Sequence, residues 1–133
     1  MLDFAGLNWV AILVATIAGF VLGGLWYGPL FGKAWMNAIG KTPEELQPSP
    51  TPFVISFFTA LITAVVLSAL ISSLGITDWL NGAVLGLLTG VGFIATAMAS
   101  DTAFCGWGSR LFLIQSGYRV SYSIVMGAIL GAW

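Results

Sequence analysis

The chain has no histidine and a single cysteine, Cys105. With one cysteine it cannot close a disulfide within itself, and without histidine it lacks the usual zinc donor set. Ser-His-Asp and Cys-His nucleophilic chemistry are excluded for the same reason. Charge is almost as scarce. Four Lys and Arg and five Asp and Glu make up 7% of the 133 residues, where an ordinary soluble domain carries about 25%. So few charges cannot cover a soluble surface, and four scattered basic residues make no nucleic-acid footprint. The first basic residue is Lys33. The N-terminal apolar run therefore lacks the positive flank of a secretory leader and is expected to remain in the protein.

What is present is apolar: 59% of the residues are hydrophobic, against about 45–50% in soluble domains. The chain reads as an integral membrane protein, all-α, a single transmembrane domain over 1–133. A crossing takes about 20 mostly apolar residues. Four such stretches lie at approximately 8–28, 53–74, 79–100 and 111–132. The last is interrupted by Arg119. Counted from Leu111 it is about 34 Å long at 1.5 Å per residue. Counted only after Arg119 it is about 21 Å, too short for a core of about 30 Å. A fourth helix that carries Arg119 within or near the hydrocarbon is therefore expected, in a compact four-helix bundle.

The basic residues support four crossings. Lys33 and Lys41 follow the first stretch and Arg110 follows the third, on one side, while the other side has no Lys or Arg. The positive-inside rule puts the basic side in the cytoplasm and both termini outside it. SLGITDW (residues 73–79) reads as a tight turn, with Gly75 closing one helix and Thr77 or Asp78 capping the next. Asn8 is a candidate cap for the first helix. GKTPEEL (residues 40–46) carries a capping box in Thr42, Pro43 and Glu45, and QPSPTP (residues 47–52) follows with three prolines, so 30–52 reads as a short interfacial elbow.

WYGPLFGKAW (residues 26–35) gathers aromatic residues where the first helix reaches water. Trp26, Tyr27 and Trp35, with Trp79 at the other side, are expected interfacial anchors, and Pro29 is expected to stop the helix. Gly82, Gly86 and Gly90 lie at four-residue spacing, as do Gly19 with Gly23, Gly24 with Gly28 and Gly127 with Gly131. Such faces let neighbouring backbones approach closely, either within one bundle or across a homodimer seam.

One helical face of the fourth stretch carries Gln115, Ser116, Arg119, Tyr122, Ser123 and Met126. Ionisable residues in a membrane are expensive and usually face protein or a water-filled cavity. Three readings of Arg119 stay open: it snorkels to the cytoplasmic interface, it pairs with Asp101 beside Ser56, Thr59 and Thr63, or it belongs to a substrate or ion site, which would then favour an anion. Cys105, next to a glycine, reads as structural.

NWVAILVATIAGFVLGGLWYGPLFGKAWM and LFLIQSGYRVSYSIVMGAILGAW resemble the two ends of a family of small four-helix bacterial membrane proteins, domain-of-unknown-function family 1761. Asn8-Trp9, the Trp26 to Trp35 cluster and the closing Met126-Gly127-Ala128-Ile129-Leu130 with Trp133 carry the resemblance. Members commonly place an asparagine in the LFLIQSGY stretch, and Gln115 keeps the amide on a longer side chain. The resemblance implies the four-helix architecture and a bacterial inner membrane, and it implies no activity. The composition leaves no catalytic constellation, no metal site and no cofactor. The expected role is that of a homo-oligomeric or accessory assembly subunit of a larger membrane complex, in contact with lipid. The alternative is a small channel or transporter with a polar pathway at Arg119 and Gln115. A membrane enzyme is the least supported class, since only Asp101 among the five acids lies near a plausible cavity.

Overall fold

A computed structural model describes residues 2–42 and 49–133. Among them the chain is helical, without strands. Helix α1 (Trp9–Leu25) runs into a π-helical turn, Trp26–Leu30, and a short helix α2 (Gly32–Ile39) follows. Helix α3 is Thr51–Ser73. Helix α4 (Trp79–Thr89), a π segment Gly90–Ala95 and α5 (Thr96–Cys105) form one continuous rod. Helix α6 is Ser109–Ala132. Pro43 and Glu45 of the expected capping box lie outside the described residues.

Local chemistry sets these limits. The Asn8 side chain accepts from the Ala11 N–H at 3.1 Å and opens α1, as N-cap residues do. Asp78 opens α4 in the same way: Oδ2 accepts the Asn81 backbone N–H at 2.9 Å, and Oδ1 accepts the Asn81 side-chain amide at 2.8 Å. These bonds hold the Asp78 carboxyl below its ordinary pKa, the backbone bond contributing most. Pro52 stands in the first turn of α3, where its missing N–H has no helical partner to lose. Gly106 and Gly108, at φ 69° and 86°, turn the chain between α5 and α6 in the left-handed region.

Pro29 does not stop the first helix. The ring removes an N–H and crowds the carbonyl four residues back. The chain responds by widening, so that the Phe31 N–H donates to the Trp26 carbonyl at 2.8 Å, five residues back. The rod therefore continues to Leu30 before it turns.

Three helical spans are long and apolar enough to cross a membrane: Trp9–Leu30, Thr51–Ser73 and Trp79–Cys105. They suggest a membrane protein. Their outward faces carry an apolar belt, including Leu13, Ile17 and Val21 of α1, Ile55, Ile62 and Val66 of α3, and Val84 and Leu88 of α4 with Val91 of the π segment. Exposed tryptophans stand at the rod ends, Trp9, Trp79 and Trp133 at one end and Trp107 at the other. Helix α6 has the length of a span without that apolarity, and its position explains why. Only Ser109, Arg110, Leu113, Val125 and Ala132 of its 24 residues are exposed. It is the central helix, packed against α1, α3 and α4. A helix shielded by its neighbours can carry hydroxyls and an arginine that an outer helix cannot.

Close approach makes this packing possible. A Cβ on Gly82 would fall on the Gly127 carbonyl, and one on Gly86 on the Ser123 carbonyl; at Gly90 the Val120 Cα would be 3.1 Å away. The bare face of α4 is thus filled by α6 within the chain. Thr16, Ile12, Ser123 and Met126 are fully buried where α1 meets α6 and its neighbours.

Candidate functional site

The polar face of α6 divides in two. Ser116, Tyr122 and Ser123 turn into the packed core. Ser123 Oγ donates to the Arg119 carbonyl at 2.8 Å, and Tyr122 Oη lies 3.1 Å from Thr63 Oγ1 of α3. Tyr122 and Ser123 thus find partners inside the helix packing. Gln115 and Arg119, by contrast, line a half-open cleft of about 540 Å³ between α1, the start of α3 and α6.

Tyr27, Tyr118, Trp35 and Ser56 contribute to the same cleft, with Phe20, Pro52 and Phe53 as its apolar wall. Its floor is glycine. Gly24 and Gly28 have nothing within 4 Å of an added Cβ, so the missing side chains leave open space there rather than a helix contact. Gly23 is different, since a Cβ there would meet the Tyr118 hydroxyl at 2.8 Å. Gly19 likewise faces Met126 and Tyr122.

Arg119 lies over two aromatic faces, 5.2 Å from the Tyr118 ring centroid and 5.3 Å from that of Tyr122. Each such contact is worth about 0.5–1 kcal/mol where exposed and about 2 where desolvated. An arginine near a helix centre in a membrane costs about 2.5–3.5 kcal/mol on insertion scales. Two rings at those values match much of such a cost. They offer no hydrogen-bond acceptors in the plane of the guanidinium, however, and no side-chain hydrogen bond or ion pair joins Arg119 to another described residue. Asp101 is exposed on α5 and makes no ion pair with Arg119 among the described residues. Trp35, at the mouth, has a buried Nε1 with no acceptor.

The aromatic cluster of residues 26–35 positions this cleft. Trp26 turns inward rather than toward headgroups: its Nε1 donates to the Ile114 carbonyl of α6 at 2.9 Å, and its ring packs on Phe31 at 4.7 Å. Tyr27 packs edge-on against Trp35 and Tyr118, both at 5.4 Å. Tyr118 donates to the Gly19 carbonyl at 3.0 Å. Trp79, at the far end, is exposed. On α3, Ser56 lines the cleft, Thr59 bonds the Ser56 carbonyl, and Thr63 reaches Tyr122.

Sequence reasoning missed Tyr118, Tyr27 and Trp35 as cleft residues. Tyr118 carried a usable signal, since it stands three residues after Gln115 and four before Tyr122. Gly24 and Gly28 carried a misleading one, because glycine spacing reads equally as contact or as vacancy. Cys105 is an exposed free thiol remote from the cleft. Among the described residues no group of three metal-ligating side chains occurs.

A family described as a protein of unknown function, DUF1761, matches residues 10–131. No curated protein and no solved structure matches the chain.

Proposed function

The chain belongs to the DUF1761 family of proteins of unknown function, and we propose that it is a four-crossing membrane protein that binds an anionic ligand in the cleft at Arg119. The observation that carries this reading is the arginine itself, which lines a cavity of about 540 Å³ and has no acid paired with it among the described residues. The volume falls within the about 300–1,000 Å³ of small-molecule sites, which combine apolar walls with a few placed polar groups. Arg119, Gln115 and Ser56 are those polar groups here. The role is that of a ligand-binding protein or small carrier, without a catalytic residue.

Helix α6 is the fourth crossing in this proposal. The rods alternate in direction, so Lys33, Lys41 and Arg110 share one end with the mouth of the cleft. By the positive-inside rule that end faces the cytoplasm of a bacterial inner membrane, with both termini outside. An assembly role remains open on the outer apolar faces, but the glycine face of α4 gives it no support, since α6 fills that face.

The test is thermal stability of the detergent-purified protein against a panel of organic anions. A ligand that binds only the folded state raises the apparent stability with its concentration. At least one anion should raise the midpoint of the parent protein and leave an Arg119→Gln variant unmoved. Equal shifts in both would remove the reading.

A further inference from the structure

The cleft does not end at Arg119. Phe20 and Phe53 line it, and the same two residues line a second hollow of about 390 Å³, completed by Pro50, Val54, Phe57 and Phe58. This hollow is walled by aromatic and aliphatic groups throughout. It opens outward beside α3, where Phe53, Val54 and Phe58 are each more than half exposed. Phe57 sits edge-on to both Phe20, at 6.0 Å, and Phe58, at 5.9 Å. A cationic donor fork and an apolar trough therefore share a wall of two phenylalanines.

We infer that the ligand is a long-chain carboxylate, with its head at Arg119 and its chain in the phenylalanine trough. This rests on the reading of the cleft as an anion site. The planar guanidinium fork matches a carboxylate with two parallel hydrogen bonds, and Gln115 and Ser56 of the same cleft add neutral donors. Depth favours a small head. Arg119 stands ten residues into α6, about 15 Å along its axis, and a bulky headgroup would give up more of its water than a carboxylate to bind there. A carboxylate on a single chain carries little besides the charge that Arg119 neutralises. The trough lets the chain stay in an apolar phase while the head moves inward.

The experiment measures binding of tritiated palmitate to the protein in phosphatidylcholine nanodiscs by scintillation proximity. Variants are Arg119→Gln, Arg119→Lys and the pair Phe53→Ala with Phe57→Ala, each checked for monodisperse elution and helical content. The parent should bind saturably, at one palmitate per chain. Arg119→Gln should weaken binding at least tenfold, and Arg119→Lys less, since it keeps the charge and loses the fork. The phenylalanine pair should weaken it about threefold to tenfold, and excess hexadecanol should not compete. Palmitate binding that the phenylalanine pair leaves unchanged would overturn the trough while the anion site stood. Equal competition by hexadecanol, or binding indifferent to both Arg119 variants, would overturn the anion site as well. Loss of palmitate binding in phosphatidylglycerol nanodiscs would transfer the site to a phospholipid and overturn the carboxylate assignment. Should both Arg119 variants fail to fold, the phenylalanine pair and the hexadecanol competition still decide.

Discussion

The indole Nε1 of Trp26 donates to the carbonyl of Ile114 across 88 positions of sequence, at 2.9 Å. It ties the widened end of the first rod to the central helix, next in sequence to the cleft residues Tyr27 and Gln115. Hydrogen bonds of this kind in membrane proteins average about 0.6 kcal/mol, with about 1.7 as the upper end. Trp26→Phe keeps most of the ring contact with Phe31 and Tyr118 and loses the bond. It should lower stability by about 0.5–1.5 kcal/mol, read from unfolding in mixed micelles. A purely lipid-facing Trp26 would give no loss.

The two kinds of glycine should separate cleanly. Gly86→Ala puts a methyl group onto the Ser123 carbonyl, which belongs to a helix backbone and cannot swing away. Overpacking of this sort costs about 1–3 kcal/mol. Gly24→Ala meets nothing within 4 Å and trades glycine for a better helix former, a change of up to about 1 kcal/mol in the favourable direction. Unfolding curves for the two variants should therefore move in opposite directions from the parent. Equal and small effects would mean that α4 and α6 do not touch along this face.

Much of this architecture was legible in the sequence. Apolar run lengths located the three outer rods, because each of those rods carries an apolar outward side. The end of α1 and the role of Pro29 were less legible, since a proline can either end a helix or widen it, and the outcome depends on what the next turn packs against. Arg119 and Gln115 stood out as polar residues in an apolar stretch. Ser116 and Tyr122 stood out equally, yet they are spent in the core. Helical spacing cannot separate these fates, because one face of the central helix meets the cleft at Gln115 and Arg119 and the packed core at Ser116 and Tyr122. Trp26 was misleading for a related reason. Tryptophan at a membrane boundary suits both an interface and a buried hydrogen bond, and only the position of Ile114 decides between them.

The orientation proposed above predicts reporter activity at named points. Alkaline phosphatase fused after Trp133 should be active, and the same reporter fused after Lys41 or Gly108 should not. Activity at Lys41 would invert the protein and carry the mouth of the cleft to the other side. The same result at Gly108 and Trp133, whether inactive or active at both, would mean that α6 does not cross, as its absence from the apolar spans would then suggest.

Thiol accessibility tests the division of the α6 polar face. Cys105 is itself an exposed thiol, so the experiment begins from Cys105→Ser. Gln115 and Tyr122 lie seven positions apart, about two helical turns. The first lines the cleft and the second is 3% exposed beneath Arg119. With the protein in nanodiscs, Gln115→Cys should react with a charged, water-soluble maleimide at least tenfold faster than Tyr122→Cys, and Ser56→Cys should resemble the former. Two positions on one face of the helix then differ in access to water, as a cleft at one end of it requires. Equal slow reaction at all three positions would mean that the cleft is closed to water, and Arg119 would have to be held by its tyrosine rings alone.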